Sequence, residues 1–450
     1  MHIYKTPIIY FMFYQIVFCN DTINFNIPDS LYIRNTIDSI IQSSQSLTME
    51  YSLRSYGKEF KNILYEKRYI DKEIDTVMIA PEKSIKQKYL DRIGQKISYI
   101  EIDNNFSDAI DNKKRLLINK YYFIRNKPII ELGKYSNDKL GMVIDLDPEF
   151  TSHFSGLFGA SKNFNENWSL NGEVNVQLEN IWNTMEFFGF NWKKLDSINH
   201  TFNINFKHPH IFYNGLGFTT SYNYELVNGY YTESNARASF QISNTYYGSF
   251  YIGYNSGEIN ITPLGKNNSY EKSRYKALLL TFNHNSFNRR LLPDKGFKFN
   301  IETNFGKDNF NDHLYIKNTI ELRHIFPIVR NINLCFNSVN EQIKALSGTI
   351  GSSREIRYGG INSLRGYMDN QFSSDMVSIQ TLEVHFQKSK FLRTSLFFDI
   401  GISTEKKPKI GLGIGIFKLT DKALMEIEYG IPEKSSFLDG KIHVKWTSRL

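Results

Sequence analysis

From about Ser152 onward the chain alternates apolar and polar residues in segment after segment, and few folds accept that pattern over such a length. Leu170, Gly172, Val174, Val176 and Leu178 oppose Asn171, Glu173, Asn175 and Gln177. Phe202, Ile204 and Phe206 oppose Asn203, Asn205 and Lys207, and Phe297, Phe299, Ile301 and Phe305 oppose Lys298, Asn300, Glu302 and Asn304. Ile332, Leu334 and Phe336 oppose Asn333, Cys335 and Asn337, and Leu382, Val384 and Phe386 oppose Glu383, His385 and Gln387. Near the end, Ile410, Leu412, Ile414 and Ile416 alternate with Gly411, Gly413 and Gly415, and Met425, Ile427 and Tyr429 oppose Glu426 and Glu428. The last segment sets Ile442, Val444 and Trp446 against Lys441, His443 and Lys445. Successive strand residues point to opposite faces, so each segment has one wet and one apolar face.

Alternation alone does not choose between a soluble sandwich and a membrane barrel. Two further features do. About sixteen such segments of roughly ten residues fill the stretch to Leu450, a length suited to a tilted membrane strand rather than to a globular one of five or six. The polar faces carry amides and charges throughout, which a packed sandwich core would not tolerate and a wet or plugged lumen would. The expected fold is an all-β transmembrane barrel of about sixteen antiparallel strands.

Composition fits this reading. Mean hydropathy is −0.39, too polar for a helical membrane protein but natural for a barrel that hides its apolar residues on one face. No internal apolar run approaches the roughly eighteen residues of a spanning helix. The formal charge of +8 comes from dispersed Lys and Arg, with no basic, aromatic-interleaved patch, so nucleic acid is not expected as a partner.

The amino terminus opens with Met1-His2-Ile3-Tyr4-Lys5 and an apolar stretch from Pro7 to Phe18 that is too short to span. It reads as a signal peptide over residues 1–19; the alternative is a buried amphipathic segment. With the signal removed, Cys335 is left as the sole thiol, so no internal disulfide or cysteine-based metal site is expected. Residues 20–150 follow a different grammar: a helix over Lys58–Lys72, a strand over Asp75–Ile79, a strand over Lys96–Ile102, a helix over Ala109–Tyr121 and a strand over Leu140–Leu146. This is a small α+β region whose short strands could take an extended peptide by edge addition, or could be a spacer. Residues 151–450 are the barrel.

One connection stands apart. Gly359-Gly360-Ile361-Asn362-Ser363-Leu364-Arg365-Gly366-Tyr367 lies between strands. Its glycines permit positive φ and a tight fold-back, and its guanidinium suits a two-pronged grip on carboxylates. By itself it would be a glycine turn with a solvated arginine. Downstream, Asp399 interrupts the apolar run Leu396-Phe397-Phe398 and Ile400, and a buried carboxylate there would need a partner; otherwise it and Glu383 are lumen acids in water. Gly411, Gly413 and Gly415 would leave room for the connection to pack, or would relieve barrel curvature.

These residues resemble the BamA/TamA-type outer-membrane assembly superfamily, also called bacterial surface antigens. GGINSLRGY, after about eleven strands and before five, is similar to that family's (V/I/L)-R-G-(F/Y) loop, which folds into the barrel. Leu292-Pro293-Asp294-Lys295-Gly296-Phe297 resembles its P-x-x-G turn, here with Asn283 and Asn288 where the family often has acids. Ser395-Leu396-Phe397-Phe398-Asp399-Ile400-Gly401 resembles its F-x-D-x-G strand, and Glu383 falls on the strand after the loop. The resemblance implies POTRA-like structure over residues 20–150, facing the periplasm of a bacterial cell whose outer membrane holds the barrel. It implies a lumen-loop motif of Gly359, Gly360, Leu364, Arg365, Gly366 and Tyr367, clamped by Glu383 and Asp399, and a turn marked by Pro293 and Gly296. It also implies a function, the folding or insertion of client β-barrel proteins. The partners would be unfolded outer-membrane clients, membrane lipids, and periplasmic chaperones or accessory lipoproteins. Within the same superfamily the alternative is a translocator for a single secreted substrate; outside it, a passive porin. No H-E-x-x-H, G-x-S-x-G or G-x-x-x-x-G-K-[ST] motif occurs, and neither enzyme activity, cofactor nor metal is expected. The first strand, near His153 to Lys162, and the last, Lys441 to Leu450, would meet in a weak seam.

Overall fold

The computed structural model describes residues 52–53, 58–59, 76–79, 85–96, 106–124, 128–136, 139–146, 148, 150–162, 168–194, 199–211, 216–310, 312–360, 363–404, 406–420 and 423–449. The expected signal peptide lies outside them. In the amino-terminal region β1 (Ser52–Leu53) pairs with β2 (Lys58–Glu59). Then follow β3 (Thr76–Ile79), helices α1 (Gln87–Lys96) and α2 (Phe106–Lys120), and strands β4 (Ile129–Ser136) and β5 (Lys139–Asp145). The sheet order is β3-β5-β4, with β3 parallel and β4 antiparallel to β5.

The strand over Thr76–Ile79, the helix ending near Tyr121 and the strand from Leu140 are where the sequence pattern puts them. Two expectations fail. Lys58 and Glu59 are strand, not the start of a helix: they pair antiparallel with Leu53 and Ser52, and backbone pairing there replaces the helical turn. The remainder of the Lys58–Lys72 segment lies outside the described residues. Lys96 ends α1 instead of opening a strand, because Tyr89, Leu90 and Ile93 form an apolar stripe at helical spacing, all three buried. Residues 97–102 lie outside the described residues.

The barrel has sixteen strands: β6 (His153–Lys162), β7 (Trp168–Glu179), β8 (Phe187–Lys194), β9 (His200–His208), β10 (Gly217–Val227), β11 (Tyr231–Thr245), β12 (Gly248–Ile261), β13 (Ser273–Asn285), β14 (Gly296–Asp308), β15 (His313–Val329) and β16 (Ile332–Ala345), then β19 (Met376–Ser389), β20 (Leu392–Ser403), β21 (Lys406–Leu419), β22 (Ala423–Pro432) and β23 (Lys441–Arg449). Strands β17 (Ile356–Tyr358) and β18 (Phe372–Ser374) form a separate hairpin inside the connection between β16 and β19. Every barrel pair is antiparallel, and the sheet closes where β23 meets β6. That closure consists of Ser448 opposite Phe154 and Arg449 opposite His153. By contrast, β22 and β23 pair from Ala423–Ser448 through Gly430–Lys441.

The barrel is inside-out. Leu278, Phe305, Leu382, Leu396, Leu412 and Ile414 are exposed on its outer face. Asn235, Asn255, Asn304, Thr381, His385 and Asp399 are buried on its inner face. The inner amides satisfy one another: Asn235 Nδ2 donates to Asn255 Oδ1 (2.6 Å), and Asn255 Nδ2 donates to Asn304 Oδ1 (2.8 Å). An apolar outer belt over a polar, hydrogen-bonded lumen is the arrangement a bilayer imposes on a closed sheet.

The amino-terminal module sits on one mouth of the barrel. Asn119 at the end of α2 donates to the carbonyls of Thr245 and Tyr246 (3.2 Å each), and Tyr121 Oη is 2.8 Å from His210 Nε2. Met185, from the turn between β7 and β8, is fully buried in the module's own core beside Leu117, Tyr121 and Phe123. Module and barrel rim therefore share one apolar cluster.

Candidate functional site

The connection from β16 to β19 turns into the lumen because its own chemistry folds it back. Gly359, Gly360 and Gly366 have φ of +119°, +90° and +93°, conformations that a side chain would strain. Gly360 N donates to Leu364 O (3.0 Å), Ser363 N donates to Gly360 O (3.1 Å), and Gly359 N donates to Ser363 Oγ (2.8 Å), closing a compact tongue. Leu364 is fully buried among Ile356, Tyr358, Val377 and Ile379, so the tongue carries an apolar anchor of its own. Tyr367 Oη donates to Ile410 O (3.1 Å).

At the tip, Arg365 grips three strands. Its Nε donates to Asp399 Oδ2 (2.8 Å), its Nη2 to Asp399 Oδ1 (2.7 Å), and its backbone N also reaches Asp399 Oδ2 (3.1 Å). Nη1 lies 2.7 Å from Glu383 Oε1 and 2.9 Å from Glu428 Oε1. Asp399 is wholly buried and accepts a further bond from Thr381 Oγ1 (2.9 Å). The guanidinium carbon stands 3.5 Å from the centre of the Phe397 ring, so the cation is stacked as well as paired. Planar, forked hydrogen bonding to buried carboxylates is the geometry that favours arginine over lysine. A Cβ on Gly411 would overlap the Arg365 carbonyl, and one on Gly430 would overlap Gly366 N. Gly413 makes room for the Tyr429 carbonyl and the Phe397 ring, and Gly415 for Ser395, so of the three alternating glycines only Gly411 admits the loop directly.

Glu428 did not stand out in the sequence, where it is one polar-face residue among many. Two other anchors were also missed. Arg354 lies between the rings of Tyr275 and Tyr315 (3.7 and 4.4 Å to the centroids) and 3.6 Å from Asp308 Oδ2. Arg357 forks onto Glu225 (2.8 and 2.7 Å) on β10, with Glu233 of β11 at 3.7 Å. The only sequence signal for them is Arg354-x-x-Arg357 just ahead of the glycine pair. The loop thus ties β10 and β11 on one wall to β19, β20 and β22 on another.

Pro293 and Gly296 are not part of this clamp. They form the turn between β13 and β14 at the module-side mouth, where Gly296 has φ +117° and a Cβ would overlap Ser286 O. Cys335, Glu383 and His385 bring three potential metal donors within 4.8 Å of one another. All three are already engaged: Arg323 Nε is 3.4 Å from the sulfur, and Glu383 holds both Arg365 and His385. The arrangement around Arg365 is a cation clamp.

Known proteins can be set beside this geometry. A crystal structure of BamA from Haemophilus ducreyi lacking POTRA domains 1–3 aligns over 84% of this chain and 84% of its own, with a TM-score of 0.51 at 13% identity. CdiB from Acinetobacter baumannii aligns over 84% of this chain and 74% of its own, with a TM-score of 0.55 at 12% identity. At such identities the likeness is one of fold. No curated protein sequence matches the chain. A family model, the Omp85 superfamily domain, matches residues 147–436, which takes in the barrel from β6 through β22 and the whole Arg365 clamp. The chain belongs to the Omp85 superfamily, and its barrel is an outer-membrane barrel with the fold that BamA and CdiB share.

Proposed function

We propose that this protein assembles other proteins in the outer membrane, taking up unfolded β-barrel clients and passing them into the lipid through its own seam. In this reading residues 1–19 are a cleaved signal, and residues 20–150 form a POTRA-like region in the periplasm that meets clients, alone or with chaperones and accessory lipoproteins. The observation that carries the reading is the closure between β23 and β6, two residue pairs at Ser448–Phe154 and Arg449–His153. Most of the β6 edge beyond Phe154 is thereby left without a β23 partner, and unpaired strand edges template the pairing of an incoming strand. No covalent step is needed; the work comes from the folding free energy of the client and the exchange of strand pairs. The Arg365 clamp holds the loop against β19, β20 and β22, keeping the wall next to the seam in shape while the seam itself opens.

The porin reading asks for an open lumen, and here a loop anchored by Arg354, Arg357 and Arg365 crosses it. The test is depletion of the protein followed by a census of the outer membrane. Loss of several barrel proteins supports the proposal. Loss of one secreted protein, with all barrels intact, would replace it by the translocator. Sequencing the mature amino terminus checks the address: a start near residues 19–22 is expected.

A further inference from the structure

We infer that the turn between β13 and β14 is a releasable strap across the module-side mouth, and that the ion pair between Arg290 and Glu179 is its latch. The turn is built to move as one body. Asn288 Oδ1 accepts from the backbone N of Asp294 and of Lys295 (3.2 Å each), and its Nδ2 donates to Asp294 Oδ1 (2.7 Å). Arg289 lies 3.0 Å from the other oxygen of Asp294. Asn288 N donates to Lys295 O (3.2 Å), so residues 288–295 close on themselves.

From this closed base the turn reaches two distant walls. Arg290 forks onto both oxygens of Glu179 at the end of β7, with Nη1 to Oε2 at 2.8 Å. On the other side the Leu292 carbonyl accepts from Gln387 Nε2 of β19 (3.0 Å), and the Pro293 carbonyl accepts from Arg393 Nη2 of β20. Around the closed barrel, β7 is six strands from β13 in one direction and β20 is four strands from β14 in the other. A ten-residue turn that touches three such separated points must cross the opening. Leu292, buried and held at φ +45°, is its stopper.

The two attachments differ in kind. The β19–β20 side is an internal network, since Arg393 Nε also donates to Gln387 Oε1 (3.1 Å) and both side chains are buried. The β7 side is a junction. Glu179 Oε2 also accepts from the backbone N of Thr151 (2.8 Å), in the segment that joins the module to β6. The Arg290 guanidinium faces the ring of the module's Tyr122 at 5.4 Å, while Tyr122 Oη donates to Glu186 O (2.7 Å). Strap and linker meet at one carboxylate and the module's Tyr122 faces the guanidinium it holds, so a shift of the module is felt at the latch first. This holds whether the barrel inserts clients or translocates a single substrate.

The chain carries its own reporter. Cys335 is fully buried on the lumen side of β16, paired in register with Glu383 and so only four positions along β19 from Gln387. From the far mouth it is shielded by the loop, whose Arg365 holds that same Glu383. In full-length protein carrying Cys19→Ser, reconstituted in lipid vesicles, Cys335 should react slowly with a charged methanethiosulfonate reagent. Arg290→Ala should raise the rate at least tenfold and increase single-channel conductance in planar bilayers. Tyr122→Ala should give a smaller rise in both. A folded, heat-modifiable Arg290→Ala barrel with parental labelling rate and conductance would overturn the proposal. Should Arg290→Ala not assemble, Arg290→Lys keeps the charge but loses the fork, and unchanged rates in that variant would overturn it equally.

Discussion

Two walls of the barrel are built unequally. From β11 to β16 the strands run 15, 14, 13, 13, 17 and 14 residues. On either side of the seam, β22, β23, β6, β7 and β8 run 10, 9, 10, 12 and 8 among the described residues. A tilted strand needs about 9–11 residues to cross a bilayer, so the seam wall just spans while the opposite wall projects beyond it. The tall wall uses its extra length to hold the plug: Ser273, Tyr275, Asp308 and Tyr315, all near one end of β13, β14 and β15, surround Arg354. One region is thus over-determined by long registers and the other is closed by two residue pairs. Under the proposed function, stability and the capacity to open are separated in space, and the loop is the beam between them.

Freezing the seam would break that contrast most completely. Phe154→Cys with Ser448→Cys joins facing residues of β6 and β23. Oxidised, this pair should abolish client assembly, measured as insertion of a barrel substrate into vesicles, and reductant should restore it. The matching lock across the tall wall, Ile301→Cys with Ile320→Cys on β14 and β15, should leave assembly as it was. Equal effects of the two locks would mean that the seam is not special.

Removing the beam's stronger end comes next. Arg365→Ala strands Asp399 without its cation and leaves Glu383 and Glu428 facing each other across the gap. Breaking a buried pair in this way costs about 3–5 kcal/mol, and the barrel's unfolding temperature should fall accordingly. Arg365→Lys should recover only part, because an ammonium cannot fork onto Asp399 while also reaching two further carboxylates. A double-mutant cycle with Asp399→Ala should show strong coupling. Additivity would mean that the two side chains do not act together.

At the other end, Arg357→Ala should cost less, about 1–2 kcal/mol, since the Glu225 side chain it releases is 25% exposed and can hydrate. The expected signature is a loosened loop, seen as faster proteolysis after Arg354, with a smaller drop in unfolding temperature than for Arg365→Ala. A larger drop would reverse the ranking of the two walls.

The contrast also marks what one sequence can reveal. Strand number and the first and last barrel strands were legible because a bilayer forces every strand to alternate, and alternation survives in linear order. Asp399 was legible because a carboxylate inside an apolar run is anomalous wherever it occurs. Glu428 was not: its reach to Arg365 depends on β20, β21 and β22 lying side by side in a particular register, and its own strand offers Glu426 as an equal candidate. Arg357 and Glu225 belong to distant parts of the chain and meet only once the loop has folded inward. Gly413 shows the same limit: its place in the alternation suits either the loop or barrel curvature, and its neighbours are the Tyr429 carbonyl and Phe397. In the module, Tyr89, Leu90 and Ile93 stand at helical spacing in the sequence, and a strand expected from Lys96 leaves that short stripe out of account.

The smallest effect expected is the one that calibrates the rest. Arg330 has the same side chain as Arg365, but it sits in the turn between β15 and β16, exposed to water. Nothing on the tall wall depends on it: β15 and β16 are paired from Tyr315–Ala345 down to Val329–Ile332, and those backbone bonds carry the wall whatever caps it. Surface substitutions away from caps and networks usually stay within about 0.5 kcal/mol. Arg330→Ala should therefore leave the unfolding temperature and client insertion at parental values. If it lowered stability as much as Arg365→Ala, cationic charge in general, and not the buried fork on Asp399, would be what holds this barrel together.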